Sequence, residues 1–459
     1  MIRFSEISPP SPRRAWAPWA AVAALAVVLY GWAPLGVPGG YFADEPSIAL
    51  NAACVAATGA DEYGVSHPLF FRAFGEYKQP VYIYLLSALY RIWRPSLDGA
   101  RLFSMALGLF AVAVFLHLAR SAGLGEPTRR PWFVALGASF CLLSPWLLVI
   151  ARFPVECTLV PLVGALQALA VHRLLATRRF AWALADGALV GLGVYVYHPL
   201  KIVPLAHFFL LGAIALSRVR REPRLLALCA VAALAAATAM GPFVADLFGA
   251  GHSLARYHAV GGHLDARTLA RLYFVHFNPV FLFLRGDANL RHHLCLGGEL
   301  NLVFLPLLLG GAVEAGRRAW RGDPFALHSL LLPPLCLLPA SLSADGVPHA
   351  LRTNVALVPL WTLALFGAVA AWRFVEGRRA RRAVALAVIA LGAAEAVAQV
   401  AWYQTRYPRA GAAAWFGPPA LRAAEADCAP LPGDNHSGYT VFKRFYRVAR
   451  GDVRYCGGR

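Results

Sequence analysis

An all-α, polytopic transmembrane helical bundle is the fold class this sequence predicts, on three observations. Of its 459 residues 59% are hydrophobic and only 15% are charged, against roughly 25% charged in a soluble domain. The apolar residues gather in long runs, and about 20 in succession are what a helix needs to cross a bilayer. The arginines that dominate a net charge of +19 sit in short segments between those runs. In a soluble chain that charge would raise nucleic-acid binding; here the positive-inside rule accounts for it, and no nucleic acid is expected as a partner.

The runs fall at 16–33, 101–119, 131–150, 158–171, 182–197, 202–217, 225–245, 299–316, 325–342, 353–372 and 383–402, which reads as about eleven spans. Arg3, Arg13 and Arg14 precede the first, so the N-terminus is expected in the cytoplasm. Arginine clusters near 120–130, 173–179, 218–224, 317–321 and 373–382 mark five further inner loops, and the helices between successive clusters then pair as four hairpins. Residues 79–94, opening "QPVYIYLL", would invert everything after them if they spanned. Short, aromatic and carrying Arg91 and Arg94, they suit a helix lying in the outer interface instead.

This topology gives a membrane domain over 1–402, with a first outer loop at 34–100, a second large one at 246–298, and an outer tail at 403–459. The sequence shows no cleavable signal, and its tail of about 57 residues is too short for a large outer acceptor domain. Eight cysteines without CxxC spacing predict neither a metal site nor a disulfide framework.

Arginine counting sorts the unusual polar residues onto one side, the outer. Asp44 and Glu45 open a helix in "ADEPSIAL", where acids also serve as ordinary first-turn residues. Glu76 and Lys78 precede the interfacial helix, and a lysine at headgroup depth either binds a lipid phosphate or snorkels. Arg152 and Glu156 occupy the small turn of a hairpin, either as an ion pair four residues apart or as desolvated functional groups. His198 and Lys201 lie between two spans, and an aromatic belt explains neither. "FLFLRGDANLRHH" brings Arg285, Asp287, Arg291, His292 and His293 to the start of a span, and Arg352 stands at the mouth of another. Cations at such a boundary suit an anionic headgroup, and a carboxylate suits a general base. The inner side shows no glycine-rich phosphate loop and no Asp-x-Asp pair for a nucleotide sugar.

In that order, "ADE", "EYKQP" and "ARFPVE" resemble the GT-C superfamily of membrane glycosyltransferases. The nearer likeness is to bacterial relatives of the dolichyl-phosphate-mannose protein mannosyltransferases and of the lipid A aminoarabinose transferases. The resemblance covers about 16–220 and is specific as an ordered set. It implies an inverting, polyprenyl-phosphate-sugar-dependent glycosyltransferase, multi-pass in the bacterial inner membrane, with its C-terminus periplasmic. The acceptor would be an outer-face lipid, glycan or protein. Asp44 is implied as the catalytic base with Glu45 or Glu156 assisting; Lys78, Arg152 and Arg352 would hold the donor phosphate. Glu76, His198, Lys201, Arg285 and His292 complete the expected substrate-binding set. No cofactor is required by this reading, though a divalent metal stays open. The rival from another class is a transporter or flippase of lipid-linked sugars, which predicts charges buried mid-span and broken helices in repeated halves; a non-catalytic lipid-binding scaffold is the third.

Overall fold

The computed structural model describes residues 19–20, 22–31, 37, 40–255, 257, 264–294, 296–375, 377–409, 416 and 438–457. Arg3, Arg13 and Arg14 lie outside them, as do parts of the expected first span, second outer loop and tail.

Each described apolar run forms a helix. Six are long and apolar enough to cross a membrane: Leu97–Ser121, Glu156–Thr177, Pro223–Phe248, Pro324–Leu342, Ala350–Phe374 and Arg379–Thr405. The shorter helices Phe180–Gly193 and Val203–Ser217, together with Phe304–Trp320, occupy other expected spans. The run at 131–150 is broken, helix Pro131–Leu142 ending before Pro145 opens a second one, Pro145–Ile150. Proline cannot donate a backbone hydrogen bond, so it serves at a helix start and interrupts a helix elsewhere.

Glycine sets how closely the spans approach. A Cβ on Gly311 would stand 2.0 Å from the Leu363 carbonyl oxygen, and one on Gly367 would stand 1.9 Å from that of Leu307. Helices Phe304–Trp320 and Leu357–Phe374 therefore cross backbone to backbone. Gly187 and Gly191 bring Phe180–Gly193 equally close to Pro223–Phe248. Membrane helices gain little from apolar burial against each other, so such close packing carries their association. A polar chain adds to it: Asp186 Oδ2 meets His207 Nε2 at 3.1 Å, and His207 Nδ1 meets His328 Nε2 at 3.4 Å, joining three helices.

Two features depart from the sequence reading. Glu76–Lys78 is a strand, paired antiparallel with Phe71–Ala73 around Phe74 and Gly75, both at positive φ. That is the backbone of the tight turns that suit the right-handed twist of a hairpin. The second is a disulfide, Cys54–Cys456, spanning 402 residues of sequence with its Cα atoms 5.4 Å apart. It corrects the expectation of no disulfide. Pairing over that distance leaves no local spacing to read.

The disulfide closes a small layer beside the bundle. Helix Gly438–Ala449 buries Phe442, Phe445 and Val448 and packs on helix Asp44–Thr58. Arg444 clamps Glu62, its Nη1 2.8 Å from Oε2 and its Nη2 donating to the Glu62 carbonyl. The helix that begins with the acid pair is thereby fixed from above.

Candidate active site

One cavity of 410 Å³ gathers residues from seven segments of the sequence. Asp44, Glu76, Lys78, Glu156, Tyr197, His198, Lys201, Ser253, Arg291, His349 and Arg352 contribute its polar lining, and Phe153, Val155, Ile202, Leu254, Leu342 and Leu351 its apolar walls.

The carboxylates at one end are ordered by the local folds. Asp44 is the first residue of its helix, follows a non-capping Ala43, and keeps 26% of its side chain exposed. Its Oδ1 accepts from Lys78 Nζ at 2.7 Å. The strand puts Glu76 and Lys78 on one face, because alternate residues of a strand share a side, and their charged atoms are 3.9 Å apart. Burial works against the Lys78 ammonium, but Asp44, Glu156 and Glu76 outweigh it and hold Lys78 above its ordinary pKa. Glu156 Oε1 accepts the Gln79 backbone N–H at 3.0 Å, tying the hairpin turn to the start of helix Pro80–Tyr90.

Across the cavity Lys201 Nζ donates to His198 Nδ1 at 3.2 Å and to the Ser253 carbonyl. Burial pulls Lys201 down to about 8. His198 Nε2 lies 3.3 Å from the Gln79 side-chain nitrogen. Arg352 Nη2 bonds Asp345 Oδ2 at 3.0 Å, and the Arg291 guanidinium lies over the Phe42 ring at 4.4 Å.

Four expected residues lie away from this lining. Glu45 is 0% exposed and holds Arg101 through both oxygens, at 2.7 and 2.9 Å, while its Oε1 also accepts from Phe42 N–H. Burial pushes the Glu45 carboxyl up and Arg101 opposes it. Arg152 is 2% exposed, donates to the carbonyls of Leu148 and Leu29, and packs over Tyr30 and Tyr403. Arg285 lines a separate recess beside Val280, Gly297 and Pro348. His292 is fully buried behind Arg291. Arg291 and His349 are cavity residues that the expected set left out. After the π-helix Val280–Arg285 the chain is irregular over 286–294, so which of its closely spaced cations faces inward is not readable from spacing.

No family model and no curated protein matches the sequence. Solved structures do. Over 94% of its length the chain superposes on the Archaeoglobus fulgidus oligosaccharyltransferase complexed with zinc and sulfate, spanning 57% of that protein, with a TM-score of 0.51 and 16% identity. ArnT from Cupriavidus metallidurans bound to undecaprenyl phosphate matches at a TM-score of 0.48 and 17% identity, over 97% of this chain and 74% of that one. The archaeal likeness is one of fold, and the helical architecture agrees with the transmembrane bundle that the sequence predicts.

Proposed function

We propose that this protein transfers a sugar from a polyprenyl-phosphate carrier to a hydroxyl of an outer-face acceptor, whether lipid, glycan or protein. One observation carries the reading: a partly exposed carboxylate, Asp44, stands beside Lys78 in a cavity that also holds Lys201, Arg291 and Arg352. The cations suit the phosphate of the donor, and the apolar walls suit the start of its lipid chain. Asp44 takes the proton of the acceptor hydroxyl as its oxygen bonds to the anomeric carbon. The bond from that carbon to the phosphate oxygen breaks, and the electron pair leaves on the phosphate, where Lys78 and the arginines meet the growing charge. Attack opposite the departing phosphate inverts the anomeric centre.

Glu156, fixed by Gln79 N–H, assists by orienting Lys78, and Glu45 acts from behind. Paired with Arg101 under the helix start, Glu45 supports Asp44 without reaching substrate. The two acids therefore separate by experiment. Asp44→Asn is expected to give a folded protein that binds polyprenyl phosphate and loses roughly 10²–10⁴-fold in transfer, the usual size of a general-base contribution. Glu45→Gln removes one charge of a buried pair, which typically costs about 3–5 kcal/mol, and is expected to lower thermal stability and yield. Transfer near the wild-type rate by well-folded Asp44→Asn would falsify the base assignment and return the acid pair to a helix-start role.

A further inference from the structure

We propose that Asp287, His292 and His349 form a binding site for one divalent transition-metal ion of the zinc type, opening onto the cavity. Each residue offers one ligand atom, and the three atoms lie within 4.8 Å of one another. The residues come from two segments, a loop ahead of helix Phe304–Trp320 and the residue before helix Ala350–Thr353, and are 3%, 0% and 8% exposed. His292 Nδ1 is 3.0 Å from Asp287 Oδ2 and His349 Nδ1 is 4.0 Å from the same oxygen. The two imidazoles stack at 4.5 Å with 27° between their planes. Tetrahedral zinc with bonds of about 2.0–2.1 Å needs ligand atoms about 3.3 Å apart, so binding requires His349 to move inward and turn out of the stack until both rings point at one ion.

Structural hydrogen bonding explains part of this cluster and leaves a remainder. Asp287 Oδ2 accepts the Ala350 N–H at 2.8 Å and Oδ1 accepts that of Asn289, so the carboxylate staples two segments whatever else it does. His349 is the remainder. Its Nδ1 is buried, has no hydrogen-bond partner, and faces that carboxylate. Buried polar atoms are almost always satisfied, and one aimed at a carboxylate and a second imidazole suits a cation. Two imidazole nitrogens and one carboxylate oxygen are a ligand set for zinc and neighbouring metals, with a fourth position left for water or substrate. His349 lines the cavity, so that position opens there.

The site is coupled to Arg291. Arg291 Nε–H donates to His292 Nε2 at 2.7 Å, which leaves the imidazole proton on Nδ1, toward Asp287. Coordination through Nδ1 needs the other tautomer. Nδ1 gives its proton to water, Nε2 takes one from water, and the ring stays neutral. The Arg291 bond is then lost, and the guanidinium turns into the cavity toward an anion. Metal and anion thus favour each other, and the coupling is reciprocal.

The inference stands apart from the transferase reading, because its readout is binding. Full-length, tag-free protein in detergent, stripped with chelator and dialysed, is titrated calorimetrically with Zn²⁺ alone, and bound metal is counted by elemental analysis. One equivalent is expected, with Mn²⁺ binding more weakly by the usual order of affinities. His349→Gln should weaken Zn²⁺ by roughly 10–100-fold or more, and Arg291→Ala should bind it more tightly, having lost both the competing hydrogen bond and a repelling charge. Absence of stoichiometric zinc, or unchanged affinity in His349→Gln, overturns the site. If His349→Gln fails to fold, Arg291→Ala decides: equal or weaker zinc binding than wild type overturns it.

Discussion

Lys201 carries the pH dependence at the scale of single residues. It is held by His198 and Ser253, lies within 5.6 and 5.7 Å of the Phe70 and Phe243 rings, and has Asp246 and Glu156 as its nearest acids. Burial disfavours its charged form more than those acids favour it, which is why it titrates near 8 and not at the usual lysine value. Below that pH the ammonium is present and attracts an anion. As pH rises through about 8 it is lost, and affinity for the phosphate of a polyprenyl-phosphate donor falls. Losing one charge-assisted hydrogen bond is worth about 1.5–3 kcal/mol, or roughly 10–100-fold. Binding of polyprenyl monophosphate measured from pH 6.5 to 9.5 should show this fall in wild type. Lys201→Arg, which stays charged, should be flat over the same window. A flat wild-type profile would sink Lys201 as an anion ligand.

Elements made of a continuous pattern were legible in the sequence, and elements made by distant pairing were not. Apolar runs such as 225–245 and 353–372 announce helices because every backbone group bonds within its own segment. The hairpin Phe71–Ala73 and Glu76–Lys78 has three residues a side, below the length at which alternation can be seen. Charge and aromatic content placed Asp44, Lys78, Glu156, His198, Lys201 and Arg352 among the candidates, and all six line one cavity. The same reasoning could not distinguish Arg291 from Arg285, since burial depends on how a loop folds back. Helix Gly438–Ala449 is the extreme case, because its partner lies almost at the other end of the chain. It is held on helix Asp44–Thr58 by Cys54–Cys456, by Arg444 on Glu62, and by three buried side chains. A disulfide closing a long loop is typically worth about 2–4 kcal/mol. Cys456→Ser should therefore loosen this layer without unfolding the bundle. Hydrogen exchange in 438–457 should accelerate, while exchange in Leu97–Ser121 stays as in wild type. Equal protection of both segments in the variant would mean that packing alone holds the tail.

At the scale of the whole molecule, the same disulfide constrains how the chain threads the membrane. Two cysteines can bond only on one side, so the number of crossings between Cys54 and Cys456 must be even. Ten apolar segments lie between them if the broken run at 131–150 counts once and helix Pro80–Tyr90 is left out. Counting Pro80–Tyr90 as a span makes the number odd and puts the sulfurs on opposite faces. Its 11 residues measure about 16 Å, roughly half of a 30 Å hydrocarbon core, so length and parity agree. Disulfides persist in oxidising compartments, so we expect both cysteines outside the cytoplasm, along with the cavity, whose Asp44 opens the helix that bears Cys54. Arginine counting reaches the same sidedness from residues that take no part in the disulfide. A reporter active only outside the cytoplasm should thus be active when fused after residue 65 or residue 459, and silent after residue 125 or residue 378. Activity at 125 would make Pro80–Tyr90 a crossing after all. The cysteine pair could then form only if a second segment, Pro131–Leu142 being the shortest remaining, failed to cross. A fusion after residue 178 tests that compensation, since with residue 125 outside it stays cytoplasmic only if both segments change together.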